Sequence, residues 1–260
     1  SDVGAIKTCA EQQQNGTYQL TGTKIFITCG DQNYTDQIIH LVLARVKGAK
    51  SGSRGLSLFL VPKWDFDQPA QRNPVTVSRL EHKMGLKASP TCVLNFDQAA
   101  GYLIGAEGDG LRCLFTLMNL MRLEVAIQSV GIAGAATRDA LLYAQQRQQG
   151  GTDGVGIIQH ADVRRMLTTM QVYTETLRAL VLETSLNLDL AQHGETDAQR
   201  HNAALLAQFL LPVGKAWGSE QAFKVANLGV QVLGGHGFVC DDGMEQYVRD
   251  SRVLSIYEGT

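Results

Sequence analysis

Ile104-Gly105-Ala106-Glu107-Gly108-Asp109-Gly110-Leu111-Arg112-Cys113-Leu114-Phe115 is the stretch in which this chain changes its period. Before Gly110, short β-rich runs alternate with turn residues. Tyr18 to Thr28 reads as two strands broken at Gly22, Ile38 to Val46 as another, Leu56 to Val61 as a compact apolar strand ended by Pro62, and Thr91 to Phe96 as one more. After Gly110, Leu111, Leu114, Phe115, Met118, Met121, Val125 and Ile132 recur at three- and four-residue steps, and the pattern continues to about Arg147. The expected fold is therefore α+β, with an antiparallel β-barrel or sandwich domain over residues 1–108 and an α-helical bundle over 109–260. Gly150, Gly151, Gly154 and Gly156 read as a flexible linker to a second helix from about His160 to His193. A third helix starts near Asp197, is expected to kink or split at Pro212, and stops at Gly234-Gly235, before a short helix near Met244 to Val253.

Composition narrows the function classes. The chain has 260 residues, 44% of them hydrophobic, and a net charge of −2, which offers no basic field for nucleic acid. Five cysteines lie far apart with no CxxC, so reduced, packed thiols are expected, as in an intracellular protein. No run approaches the roughly 20 apolar residues that span a bilayer. The chain opens on Ser1-Asp2-Val3-Gly4, without an initiator Met, and is expected to be cut at both ends.

Taken alone, the glycine-rich segments are weak signals. Gly105 to Gly110 does not fit GxGxxG and has no strand-helix-strand unit around it, so a structural loop is favoured. Gly48, Gly52 and Gly55, with Lys47, Lys50 and Arg54, read as a solvated hairpin. The six histidines include no HExxH, no metal site stands out, and no GxSxG elbow is present. Glu258, between Tyr257 and Gly259, reads locally as a helix-end carboxylate.

The ordered set is more specific. Ser1-Asp2, Gly22-x-Lys24-x-Phe26-Ile27-Thr28, Met84-Gly85-Leu86-Lys87-Ala88-Ser89, Gln231-Val232-Leu233-Gly234-Gly235-His236-Gly237 and Tyr257-Glu258-Gly259-Thr260 follow one another across essentially the whole chain. Together they resemble the acyl-CoA dehydrogenase family. Leu80 to Gly85, His160 to Leu167 and Met244 to Asp250 are similar to its large bacterial branch, which includes 3-methylmercaptopropionyl-CoA and long fatty acyl-CoA dehydrogenases.

The resemblance implies a middle β domain followed by a C-terminal helical domain. The N-terminal helical domain and the end of the C-terminal one would lie outside this chain. It implies FAD-dependent removal of two hydrogens from an acyl-CoA thioester to give a 2-enoyl-CoA in fatty acid metabolism, with Glu258 as the base and the flavin taking the β-hydride. Phe26, Ile27, Thr28, Arg147, Gln231, Gly234, Gly235 and Thr260 would bind FAD. Ser1, Asn119, Arg122, Tyr257 and Gly259 would bind substrate. Phe26 stands where the family usually has Trp, Asn119 where many relatives have Asp, and Gln148-Gln149 depart from the common pattern after Arg147. A homo-oligomer sharing its cofactor, a dimer or a dimer of dimers, is implied. So are electron-transferring flavoprotein as partner and a bacterial cytoplasm, with the mitochondrial matrix as the alternative. An acyl-CoA oxidase using oxygen, or an incompetent fragment serving in assembly, are the rival readings.

Overall fold

The computed structural model describes residues 2–150 and 154–258. The chain divides into two compact units, one made of residues 1–83 and 87–117, the other of 84–86 and 118–260.

The first unit is built from β1 (Cys9–Gln12), β2 (Tyr18–Thr28), β3 (Ile39–Val46), β4 (Leu56–Pro62), β5 (Val75–Leu80) and β6 (Thr91–Ile104). The order β2-β1-β3-β4-β6-β5, with a further β2–β6 pairing, closes the sheet into a barrel that carries β5 beside β6. All pairings are antiparallel except β1 with β3, which run parallel. Leu56 to Val61 is apolar almost throughout because β4 is buried on both faces. Leu20, Phe59, Val61, Leu94 and Phe96 fill the barrel.

Three expectations for this unit need correction. Tyr18 to Thr28 is one strand, not two, since bulges at Leu20/Gly22 and Lys24/Ile27 take up the irregularity without ending the ladder. Thr91 to Phe96 is only the start of β6, which runs to Ile104 and changes partner from β2 and β5 to β4 along its length. Cys9–Gln12 and Val75–Leu80 are strands too, and the sequence reading did not single them out.

The second unit is a helical bundle. α1 (Gly110–Gln146) gives its first turns, to Leu117, to the first unit and the rest to the second. α2 (Ala161–His193) and α3 (Asp197–Leu233) follow, then α4 (Gly235–Phe238) and α5 (Met244–Ser251). Small residues set the helix spacing. Ala133, Ala136, Ala140 and Ala144 bury one stripe of α1 against Met170, Val225 and Met244. The Thr137 and Thr174 hydroxyls pair at 3.1 Å inside it. Thr196 caps α3 by accepting from the Gln199 N–H at 3.2 Å.

Pro212 does not split α3. It lies on the exposed face with Gln208, where the carbonyl that loses its i→i−4 partner has access to water. The glycine segment after α1 is also more ordered than a free linker. Gln148 bridges Gly156, and the Gln149 N–H donates to the Val155 carbonyl at 2.9 Å; Gly151 lies outside the described residues. α1 contains an 18-residue window of mean hydropathy 1.2, long and apolar enough to cross a membrane by length and composition alone. No contiguous run announces it, because the apolar residues are spread among small and polar ones.

Candidate active site

The turn after α5 presents Glu258. Leu254 is fully buried in the bundle core and fixes this turn. Tyr257 packs against the same core and donates from its hydroxyl to Gln128 Oε1 of α1 at 2.8 Å. Burial, then the neighbouring Glu258 charge, pushes the Tyr257 phenol up to about 12, so it stays a donor throughout the physiological range. Glu258 follows, half-buried, at φ 56°. A non-glycine residue in this region costs on the order of 1–3 kcal/mol and persists only when its surroundings impose it. The anchored Leu254 and Tyr257 supply that constraint.

Two cations of the bundle belong to the same electrostatic neighbourhood. Arg122 on α1 is half-buried, with Asn119 Oδ1 3.4 Å from its Nη1. Lys215 on α3 is only 3% exposed. Its proton affinity is lowered by burial, raised by Glu258 and lowered again by Arg122, so the three charges share one field. Lys215 escaped the sequence reading. The signal was present, as a single lysine in the apolar stretch Phe209 to Trp217, but nothing local said that it turned inward.

The end of α3 forms a second cluster. Gly234 terminates the helix at φ 61°, which a side chain would resist. A Cβ at Gly234 or Gly235 would meet nothing within 4 Å, so this backbone is open to close approach. At Gly237 a Cβ would sit 2.6 Å from the Val230 carbonyl oxygen, so the chain's own packing demands that glycine. Gln231 is exposed on the last turn of α3, and Phe238, at the end of α4, is 81% exposed. His236 Nδ1 lies 2.9 Å from Asp242 Oδ2. Arg147 is exposed just beyond α1, its backbone fixed by 2.8 Å bonds to the Tyr143 carbonyl and from the Ile157 N–H.

In the first unit, the bulge between Lys24 and Ile27 turns Phe26 out of the ladder at φ 59°. Its ring is 68% exposed, Thr28 is exposed nearby, and Ile27 packs inward on the barrel core. An aromatic face displayed on a strained bulge, with a hydroxyl two residues on, fits a planar ring system. Lys24, two residues before it, donates to the Leu43 carbonyl at 2.7 Å, and burial lowers its pKa to about 8. Ser1, Gly259 and Thr260 lie outside the described residues. No group of three or more His, Cys, Asp or Glu side chains suited to a metal occurs among the described residues.

Barrel and bundle agree with what sequence comparison finds. Residues 1–99 match the acyl-CoA dehydrogenase middle domain and residues 108–260 the acyl-CoA dehydrogenase C-terminal domain, so the chain belongs to the acyl-CoA dehydrogenase family. Among individual relatives, it is 47% identical to 3-methylmercaptopropionyl-CoA dehydrogenase of Ruegeria pomeroyi, over 100% of this chain and 46% of that protein. Caenorhabditis elegans ACDH-11 in complex with C11-CoA superposes with a TM-score of 0.87 at 30% identity, over 99% of this chain and 42% of that one. The Bacillus anthracis acyl-CoA dehydrogenase complexed with FAD gives 0.80 at 28% identity, over 98% and 42%. The chain thus spans about half the length of the curated relatives it matches.

Proposed function

We propose that the protein catalyses α,β-dehydrogenation of an acyl-CoA thioester to the 2-enoyl-CoA, with Glu258 as the base. The observation that carries this reading is the placement of Glu258. It stands on a turn anchored by Leu254 and Tyr257, in a constrained backbone conformation, within the field of Arg122 and Lys215. A thioester α-hydrogen is a weak acid, so removing it needs a carboxylate held at the right point and electrostatic support for the enolate-like oxygen. One Glu258 oxygen accepts the α-proton. Arg122 and Asn119 are assigned to the CoA portion, and Gly259 to the substrate.

Phe26, Ile27 and Thr28 of the first unit, with Arg147, Gln231, Gly234, Gly235 and Thr260 of the second, are the residues we assign to FAD. The exposed ring of Phe26 offers a stacking face and the Thr28 hydroxyl a hydrogen bond. The Arg147 guanidinium suits paired phosphate oxygens, and the open glycine backbone of 234–235 admits close approach. When bound, FAD supplies the acceptor for the β-hydride. Ser1 and Tyr257 complete the substrate side, Tyr257 by holding the turn that bears the base. We assign residues 1–108 to the middle β domain and 109–260 to the C-terminal helical domain.

Exposed apolar residues on the bundle (Leu120, Ile127, Leu142, Leu186, Phe209) support assembly into a dimer or dimer of dimers. Electron-transferring flavoprotein as acceptor and a cytoplasmic setting complete the proposal.

The test is an anaerobic titration of the full-length protein with acyl-CoAs of increasing chain length, 3-methylmercaptopropionyl-CoA included. The protein is expected to be yellow and to bleach with a preferred thioester. Glu258→Gln is expected to keep the colour but lose α-proton exchange of bound substrate. A colourless protein that FAD does not reconstitute, or normal turnover in Glu258→Gln, would sink the assignment. Peroxide formation without another acceptor would make it an oxidase.

A further inference from the structure

Glu258 has no hydrogen bond of its own among the described residues, from backbone or from side chain. Its placement is inherited from its chain neighbours. The Ile256 and Tyr257 N–H groups both donate to the Val253 carbonyl, at 2.8 and 3.2 Å, which closes the turn on itself. The hydrogen bond that ties this turn to α1 comes from the Tyr257 hydroxyl, which donates to Gln128 Oε1 at 2.8 Å.

Gln128 offers a firm anchor. It is half-buried on α1 between Val125 and Ser129, which are both buried, and the Ser129 hydroxyl donates to the Val125 carbonyl at 2.8 Å. The Gln128 side chain makes no other hydrogen bond among the described residues, so its amide serves this one alone. Arg122 stands on the same helix, about 9 Å along the axis at 1.5 Å per residue.

We propose that Gln128 is a positioning residue for the Glu258 base. By accepting from the Tyr257 hydroxyl, it sets the turn that carries the carboxylate in register with the helix that carries Arg122. This rests on the reading of Glu258 as the base. A helix holds a site more precisely than a loop does, and misplacing a reacting group by about 1 Å can cost on the order of 100-fold in rate. Without the Gln128 amide, the Tyr257 ring keeps its packing on the bundle core but loses its fixed point on α1. The carboxylate one residue on then spends less time where an α-hydrogen can be taken. The loss falls on proton removal and not on binding, because Arg122 and Asn119 are left untouched.

The test is anaerobic stopped-flow reduction of the full-length holoenzyme by an acyl-CoA that bleaches it, with α-proton exchange measured alongside. Wild type, Gln128→Met, Tyr257→Phe and the double variant are compared, with flavin absorbance and thermal melting as checks on folding. Gln128→Met, close in shape but without the acceptor, is expected to lower the limiting reduction rate and the exchange rate by about tenfold. The acyl-CoA dissociation constant is expected to stay within about twofold. In the Tyr257→Phe background, Gln128→Met is expected to add nothing, since the bond is already gone. An unchanged limiting rate in flavin-loaded Gln128→Met would overturn the proposal, as would a loss confined to the dissociation constant. A full further tenfold drop in the double variant would also overturn it, because Gln128 would then act apart from Tyr257. Gln128→Ala serves where the Met variant does not retain flavin, and loss of flavin in both would assign Gln128 to the fold instead. Glu258→Gln, run beside them, separates the two readings. If it turns over normally the base itself is misassigned, and if it is inactive while Gln128→Met reacts like wild type, only the role of Gln128 fails.

Discussion

Lys24 is the residue whose chemistry departs furthest from its ordinary behaviour. It sits in β2 just before the bulge that displays Phe26, held by a single 2.7 Å bond to the Leu43 carbonyl, with its pKa lowered to about 8. The unfolded chain, with an ordinary lysine near 10.4, binds more protons than the folded one between those values. Stability must therefore rise with pH across that window, and the penalty for burying the ammonium is fully present below pH 8. From pH 7.5 to 9.5 wild type is expected to gain about 2 kcal/mol on Lys24→Met, read from urea unfolding of both proteins. A constant difference between them would show that Lys24 stays protonated in the fold. Single residues were also where sequence told least. Glu258 was visible only through the ordered motifs around it, since a carboxylate between an aromatic and a glycine has no local distinction. Lys215 was invisible because its environment is assembled from three helices far apart in sequence.

At the scale of elements, periodicity served well where one rule governed a long segment. The helices of the bundle end within a residue or two of their expected limits, because caps and glycines stop them locally. It served less well where tertiary contact decides. β6 outruns its expected end by eight residues because β2 pairs with it as far as Gly101 and β4 takes over from Tyr102 to Ile104, and Pro212 is absorbed by an exposed helix face. The Gln231 to Gly237 segment shows two demands superposed. Gly234 answers a backbone requirement and Gly237 a steric one, while Gly235 has open space. Gly237→Ala is expected to cost roughly 2–4 kcal/mol, since its Cβ would strike the Val230 backbone, while Gly235→Ala should leave stability within about 0.5 kcal/mol. Thermal melts of the two variants check this. Should Gly235→Ala lose flavin while keeping its stability, the open backbone there would be a ligand surface and not merely a loop.

For the molecule as a whole, two units contribute residues that we assign to one cofactor. A ligand that binds only the folded state adds stability by mass action, about 2.7 kcal/mol at a free concentration 100 times its dissociation constant. Added FAD is therefore expected to raise the melting temperature of the flavin-stripped full-length protein. If both units hold the cofactor, Phe26→Ala in the first and Arg147→Ala in the second should each reduce that rise. A rise unaffected by one of them would remove that unit from the site.

Met84, Gly85 and Leu86 belong to the second unit although the chain on both sides of them belongs to the first. Gly85 lies where a Cβ would be 2.3 Å from the Arg249 carbonyl oxygen. The Leu86 N–H donates to Asp250 Oδ1 at 2.6 Å, and Arg249 Nη1 donates to the Met84 carbonyl at 3.2 Å. On the ribosome, this tripeptide emerges more than 160 residues before its docking site exists. The barrel can close around its own core as it leaves the exit tunnel, but this loop has nowhere to settle until α5 has been made. Emergence of α5, and not completion of the barrel, is thus the moment at which residues 84–86 can dock.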